Sequence, residues 1–182
     1  MENQTKANVE HALKWGLILG LINIVVYLLV YLIDKNLLVS MWYSFSSLAL
    51  NIVLLILPIR IKRKELGGLI SFNDAFIICF LVFIGGALLQ NIFNYFLYNF
   101  IDTALAEFIK QKAIESSVAM MEKFGTPQES IDKALNDLQN QDFNQTPARI
   151  SKQFFFSLLI GGVISLILAA LLKKSPKIND FE

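Results

Sequence analysis

The sequence predicts an all-α integral membrane fold, with four transmembrane helices and a helical hairpin inserted between the third and the fourth. The composition is 55% hydrophobic and only 17% charged over 182 residues, whereas soluble domains average about 25% charged residues. The charged residues are also segregated. Four segments contain no Asp, Glu, Lys or Arg, and these are residues 15–33, 36–59, 75–101 and 153–172.

Each segment is about long enough to cross a bilayer, which takes roughly 20 apolar residues. Lipid cannot hydrogen-bond the backbone, so such segments must be helical. The apolar core of the first segment exceeds the roughly 7–15 residues of a signal peptide, and no small-residue cleavage site follows it, so we expect it to be retained. In a single membrane domain of residues 1–182 we predict spans at about 15–33, 41–59, 75–101 and 152–172.

The basic residues predict how the chain is threaded, because Lys and Arg concentrate in short cytoplasmic loops. Four spans place both tails and the loop between the second and third spans on one side, so we expect both termini in the cytoplasm. Attraction to anionic lipid would add about 1 kcal/mol per basic residue, and we expect a lipid partner but no nucleic acid. The loop anchor consists of Arg60, Lys62, Arg63 and Lys64, and the tails add Lys6, Lys14, Lys173, Lys174 and Lys177.

The stretch "ELGGLISFNDAF" that follows the basic run predicts a stop, a turn and a new helix start. Gly67 or Gly68 suits the left-handed conformation that ends a helix. Ser71 and Asp74 have the spacing of a capping box, and an acidic side chain is favourable in the first helical turn.

The extramembrane part, at about residues 102–146, predicts two helices. The helix of the third span could continue outward through "TALAEFIKQKAIESSVAMMEKFG", and "TPQE" signals a second start with Thr126 as the cap, Pro127 first in the helix and Glu129 completing a capping box. An apolar stripe follows, which either packs on the neighbouring helix or forms a docking surface for a partner protein. It comprises Ile131, Ala134, Leu135 and Leu138.

Neutral polar residues near the middle of the spans form a candidate intramembrane cluster. On the third span, Gly86, Gln90, Asn94 and Tyr98 share one face at four-residue spacing. The cluster either makes interhelical hydrogen bonds or lines a polar path or binding site. Its members are Asn23, Asn51, Gln90, Asn91 and Asn94.

Small residues at four-residue spacing let helix backbones approach closely. They form a candidate packing seam, which lies either inside the bundle or between two copies of the chain. The seam consists of Gly16 and Gly20 in the first span and of Ser157, Gly161 and Ser165 in the fourth, with Ala169 continuing the spacing.

No pattern predicts catalysis, a metal site or a cofactor. The chain has one cysteine, Cys79, in the third span, and one histidine, His11, which we expect at the surface of the N-terminal tail. The four apolar segments contain no ionisable carboxylate or amine, although such groups are the usual mark of proton relays. We therefore expect that the protein is not an enzyme.

The four-span layout, the stretch "GGLISFNDAF" and the insert "MEKFGTPQESIDKA" resemble the bacterial membrane proteins grouped as domain of unknown function 4199. The resemblance implies a Gram-negative inner membrane with the hairpin in the periplasm, and no functional residue follows from it. Two hypotheses remain. The protein is a scaffold or accessory subunit that binds a partner or a second copy, or it is a small transporter or channel component with an amide-lined path.

Overall fold

The described part of the chain, residues 2–141 and 143–174, forms six α-helices and two short helical segments of other types. In chain order these are α1 (Glu2–Ile33), a 3-10 helix (Lys35–Val39), α2 (Met41–Glu65), α3 (Phe72–Phe96), a π-helical turn (Leu97–Ile101), α4 (Leu105–Lys123), α5 (Gln128–Gln139) and α6 (Pro147–Leu172). The tail residue Lys177 lies outside the described residues.

Four helices are long and apolar enough to cross a membrane: α1, α2, α3 with its π-helical turn, and α6. This confirms the predicted all-α class with four spanning helices. The outward face of α1 shows why a bilayer is needed, since Leu17, Leu21, Val25 and Leu29 are each more than half exposed. A continuous apolar face of this kind is rare on soluble proteins and normal against lipid.

The central helix of the bundle is α3. It packs against α1 along most of its length and against α6 on another side, and it contacts α2 more sparingly. We refer to the two ends of the bundle as the basic end and the α4 end. The basic end contains the turn at residues 66–71 and residues 173–174, and the α4 end contains the 3-10 helix and α4.

The small residues of α1 form the contact with α3. A methyl group on Gly16 would lie 3.1 Å from the Cα atom of Gly85 and 3.2 Å from the carbonyl oxygen of Val82. A methyl group on Gly20 would lie 2.9 Å from the side chain of Leu89. Only glycine therefore permits this approach of the two backbones.

The small residues of α6 also face the inside of the chain. Gly161 lies against the ring of Phe83 in α3, and Ser165 and Ala169 are fully buried. Ser157 is half-buried, and its hydroxyl donates to the carbonyl oxygen of Phe154. The small residues of the predicted seam thus lie in contacts between helices of one chain.

At the basic end, Gly67 and Gly68 have φ angles of 72° and 91°, a left-handed conformation that ends α2. Ser71 then caps α3, with its hydroxyl oxygen accepting from the Asp74 backbone N–H at 3.1 Å. The turn is tied to the end of α6 by an isolated antiparallel bridge between Ile70 and Lys174. Half of the basic run also has structural contacts, since Lys62 pairs with Glu65 at 3.1 Å and Arg63 donates to the Leu172 carbonyl oxygen at 3.3 Å.

At the α4 end, the helix of the third span does not continue outward as one rod. It loosens into the π-helical turn and stops at Asp102, and α4 begins only at Leu105. The break follows from packing, because Leu97 and Leu105 are buried together with Leu38 of the 3-10 helix in a second apolar cluster. This cluster holds α4 against the end of the bundle.

Helix α5 differs from the predicted start by one position. Pro127 occupies the cap, the helix begins at Gln128, and no side-chain hydrogen bond caps it, so the capping box expected from Thr126 and Glu129 does not form. Pro127 has no backbone N–H, and its ring fixes a φ of −56° that suits the entry. The stripe of Ile131, Ala134, Leu135 and Leu138 is buried or half-buried, and the main neighbour of α5 is α4.

The α1–α3 contact predicts a difference between two glycine substitutions. Gly16→Ala should lower the free energy of unfolding by about 1–3 kcal/mol, because its methyl group would press on backbone atoms that cannot rotate away. Gly162→Ala is the matched control, since its methyl group would meet only the Phe80 ring at 3.8 Å. Thermal unfolding of both variants in one detergent checks this, and an equal loss of stability in the two would contradict the assignment.

Candidate functional site: a polar column between three helices

Polar side chains recur every fourth residue along the facing sides of three helices and meet in one continuous set. Residues four apart lie on the same helix face because a turn takes 3.6 residues. We call this set the polar column. It consists of Asn23, Tyr27 and Tyr31 from α1, Lys35 from the 3-10 helix, Tyr43, Ser47 and Asn51 from α2, Gln90 and Asn94 from α3, Tyr98 from the π-helical turn, and Asp102 directly after that turn.

The deep end of the column is built from amides. Asn23 and Asn51 join α1 to α2 by a reciprocal pair of hydrogen bonds, with nitrogen to oxygen distances of 2.9 and 3.3 Å. On α3 the Gln90 amide nitrogen donates to the Asn94 side-chain oxygen at 2.9 Å. The Gln90 Oε1 atom is buried and has no hydrogen-bond partner among the described residues. An unpartnered buried acceptor costs about 1–3 kcal/mol, so this atom calls for a donor.

A cavity of about 240 Å³ lies among these amides, where α1, α2 and α3 meet. All of its lining side chains are uncharged, and most carry a hydroxyl or a carboxamide. The amide and hydroxyl groups can both donate and accept hydrogen bonds. The cavity therefore suits water or an uncharged polar group. It is lined by Asn23, Val26, Tyr27, Tyr43, Ser47, Asn51, Gln90 and Asn94.

Above the cavity, toward the α4 end, α1 and α3 are joined in one register. The hydroxyl groups of Tyr27 and Tyr98 lie 3.1 Å apart, and the Tyr31 hydroxyl donates to the Asp102 carboxylate at 2.9 Å. Both pairs are 71 positions apart in the sequence, so the two parallel helices keep the same register at these two contacts. From Asn23 to Lys35 the column is about 18 Å long at roughly 1.5 Å per helical residue.

An ion pair closes the column at the α4 end. The Lys35 ammonium donates to Asp102 at 2.6 Å, and the two side chains are 42% and 14% exposed. This hydrogen bond lowers the pKa of Asp102 from its ordinary value of 3.8 and raises the pKa of Lys35 from 10.5. The ammonium also lies 4.9 Å from the centre of the Tyr31 ring. The only charges of the column are therefore placed where water reaches them.

The column does not continue to the basic end. Beyond Asn23 and Asn51 the space between the helices is filled by an apolar core. Ile59, Ile78, Cys79 and Val82 are fully buried there. In the described residues the polar column is therefore closed by the apolar core toward the basic end, and its polar side chains continue only toward the α4 end.

The structure brings together four of the five residues of the predicted cluster. Asn23, Asn51, Gln90 and Asn94 line the cavity, whereas Asn91 faces another way. The Asn91 amide donates to the Ala87 carbonyl oxygen at 2.8 Å and lines a separate groove between α3 and α6. One residue along a helix turns a side chain by about 100°, which separates Asn91 from Gln90.

Sequence reasoning placed Asn23 and Asn51 in the cluster but missed the other column residues on the α1 and α2 side, which are Tyr27, Tyr31, Lys35, Tyr43 and Ser47. The signal was available, since Asn23, Tyr27, Tyr31 and Lys35 repeat the four-residue spacing that was recognised on the third span. Asp102, at the next step of the α3 face after Tyr98, was counted as the start of the extramembrane segment.

The basic end holds a smaller polar group that the sequence did not indicate. His11 was expected at the surface, but α1 begins near the chain start and its ring is half-buried, with Nε2 lying 3.0 Å from the Pro58 carbonyl oxygen. Asn8 is 1% exposed and donates to Asp74 at 2.7 Å. The Ser71 hydroxyl donates to the same carboxylate at 2.6 Å. These contacts join α1 to α2 and α3 and complete the closed end of the bundle.

A sequence model described as protein of unknown function (DUF4199) matches residues 14–174. The chain belongs to this family. The match confirms the resemblance drawn from the sequence, and in this DUF4199 protein it covers every helix of the bundle except the first turns of α1. No curated protein and no solved structure matches the sequence.

The ion pair predicts how stability depends on pH. Because the pKa of Asp102 is lowered from 3.8, this carboxylate stabilises the fold above about pH 3.8, and the stabilisation is lost as the pH falls below that value. Because the pKa of Lys35 is raised from 10.5, this ammonium stabilises the fold below about pH 10.5, and the stabilisation is lost as the pH rises above that value. Asp102→Asn should therefore lower the melting temperature at pH 7, and the difference from the unaltered protein should shrink below about pH 4.

A matched control for this prediction is Glu115→Gln in α4. Glu115 pairs with Lys112 at the same distance of 2.6 Å on one helix face, but Glu115 is 61% exposed whereas Asp102 is 14% exposed. Such pairs are worth roughly 0–0.5 kcal/mol, so the control should leave the melting temperature unchanged. Equal effects of the two substitutions would show that Asp102 is an ordinary surface acid.

Proposed function

We propose that the protein is a non-enzymatic, multi-pass inner-membrane protein that binds a small uncharged polar molecule in the cavity of the polar column. The observation that carries the proposal is the buried Oε1 atom of Gln90, an acceptor without a donor at the wall of a 240 Å³ cavity. Buried polar atoms in folded proteins usually have a hydrogen-bond partner, either in the protein or in bound water. A molecule with an N–H or O–H group would satisfy this one.

Binding fits the geometry better than conduction. A channel or carrier needs a polar route to both sides, and the amides here border a packed apolar core toward the basic end. The α1–α3 glycine contact lies in that half and leaves no room between the two backbones. We therefore propose a sensor or accessory subunit rather than a transporter.

We propose further that the basic end faces the cytoplasm, with both termini there. The support is electrostatic, because Arg60 and Lys64 are exposed at the end of α2 and lie near the Lys173 and Lys174 segment that the Ile70 bridge holds. Basic residues in short segments are retained on the cytoplasmic side. The polar column then opens toward the periplasm.

A second prediction is that the extramembrane helices form a docking surface for a partner protein. The apolar stripe of α5 is largely covered, so it does not favour docking. Phe124, at the turn after α4, is 79% exposed outside the membrane-spanning helices, and a partner protein would contact the molecule there. Crosslinking from residue 124 in native membranes, with residue 136 on the exposed side of α5 as the control position, tests for such a partner.

Ligand binding is tested by thermal unfolding of the purified protein with a panel of short alcohols, diols and primary amides. A ligand at one hundred times its dissociation constant stabilises the folded state by about 2.7 kcal/mol. We expect at least one compound to stabilise the unaltered protein and Asn91→Leu, but neither Gln90→Met nor the double variant Gln90→Leu with Asn94→Leu. Gln90→Met nearly preserves the side-chain volume, so it separates binding from folding.

Two results would contradict this proposal. One is a panel in which no compound distinguishes the unaltered protein from Gln90→Met. The other is glycerol flux in proteoliposomes that exceeds the flux of protein-free vesicles and disappears in the double variant, because that result requires a path through the apolar half.

The threading is tested with single cysteines at positions 36, 68 and 125 and a membrane-impermeant maleimide. Cys79 is fully buried, so the native thiol gives no background. In intact cells with a permeabilised outer membrane, Asn36→Cys and Gly125→Cys should be labelled, and Gly68→Cys should be labelled only after lysis. The reverse pattern would place the column on the cytoplasmic side.

A further inference from the structure

A second, apolar depression adjoins the amide cavity. It lies between α1, the 3-10 helix and α2, it has a volume of about 320 Å³, and all of its lining side chains are uncharged. It shares Val26, Tyr43 and Ser47 with the cavity. We call it the α1–α2 groove. It exists because α1 and α2, although consecutive, contact each other far less than α1 contacts α3.

The α1–α2 groove leads from the cavity to the membrane interface at the α4 end. Its far end is formed by Leu37, Ser40 and Trp42, and its walls include Val30 and Leu50. Trp42 is 83% exposed, and tryptophan favours the interface between lipid and water. From Leu50 to Trp42 the groove is about 12 Å long at roughly 1.5 Å per residue.

We propose that the ligand of this site is an uncharged amphiphile from the membrane: a medium-chain alcohol whose hydroxyl group donates to Gln90 Oε1 and whose chain lies in the α1–α2 groove. This inference rests on the proposed function and names its ligand class. A hydroxyl at the deep end would satisfy the unpartnered acceptor, and the groove, whose lining includes Val26, Val30, Leu37 and Leu50, favours an apolar body. The uncharged lining of both disfavours an ionised head group. Ligand sites of about 300–1,000 Å³ are usual for molecules of this size.

The bound orientation is opposite to that of a free alcohol in a bilayer. A free alcohol keeps its hydroxyl at the interface and its chain end near the membrane centre. The bound alcohol has its hydroxyl at the buried amides and its chain end beside Trp42. This reversal gives the proposal a signature that ordinary partitioning into lipid does not produce.

The test uses 10-bromodecan-1-ol, whose bromine quenches tryptophan at short range, and the full chain in lipid vesicles. The protein has two tryptophans, so Trp15→Phe leaves Trp42 as the sole reporter. We expect saturable quenching of Trp42 by the bromoalcohol and none that saturates with 1-bromodecane, which lacks the hydroxyl. Gln90→Met should weaken the apparent affinity at least tenfold, and Asn91→Leu, whose amide lies outside the cavity, should leave it unchanged.

A substitution in the α1–α2 groove separates this inference from the proposed function. Ser46 lines the groove from an exposed position on α2 and does not line the cavity. Ser46→Phe should abolish the saturable quenching and leave stabilisation by short alcohols or amides intact. Quenching that is linear, that is equal for 1-bromodecane, or that survives Gln90→Met overturns the amphiphile. If short compounds still stabilise the protein in that case, the proposed function stands without it, and if they do not, both fail.

Discussion

The close contact between α1 and α3 is the constraint on which the rest of the structure depends. Gly16 and Gly20 let the two backbones approach to a distance that any side chain would prevent. In a bilayer the helices gain nothing from hiding apolar surface, because lipid is equally apolar, so close packing and interhelical hydrogen bonds must hold them together. The glycine contact supplies the packing at the basic half of the pair.

The same contact sets the register of the polar half. Once α1 and α3 are aligned there, Tyr27 meets Tyr98 and Tyr31 meets Asp102, both at a separation of 71 positions. Each hydrogen bond of this kind is worth on average about 0.6 kcal/mol inside a membrane, too little to choose the register alone. We infer that the glycine contact sets the register of α1 on α3, and that the polar pairs form in the register it sets. α2 packs into the apolar core at the basic end and joins α1 through the Asn23–Asn51 pair. Its contacts with α1 and α3 are otherwise sparse, which leaves the cavity and the α1–α2 groove.

The sequence predicted the helices well because their signal is local. The length of each apolar segment, its lack of charged residues and the glycine turn at 67–68 can all be read from neighbouring residues in the sequence. The capping of α3 by Ser71 is equally local, and the start of α5 was wrong by only one position. The break at Asp102 was not predicted because its cause is remote: Leu38, from the first loop, is buried against Leu97 and Leu105.

The candidate site was predicted only in part, for a related reason. A stripe of small residues predicts that another helix packs closely against it, but not which helix. For this reason Gly85 was not recognised as the partner of Gly16. Asn91 was grouped with Gln90 because depth in the membrane was considered before helix face. His11 was assigned to a tail, although the helix of the first span starts near the chain start and brings it to Pro58.

The distribution of charge explains what the polar column is suited to bind. A carboxylate at the level of Gln90 would require a partner charge and would change its state with pH. Amides and hydroxyls keep the same hydrogen-bonding capacity at any physiological pH. The cavity therefore offers the same donors and acceptors, without a charge, across that pH range. The ion pair of the column, between Lys35 and Asp102, lies at the α4 end, where partial exposure offsets its desolvation. It joins α1 to α3 there without lining the cavity. A ligand site of the kind we propose would discriminate by shape and by hydrogen bonding rather than by charge.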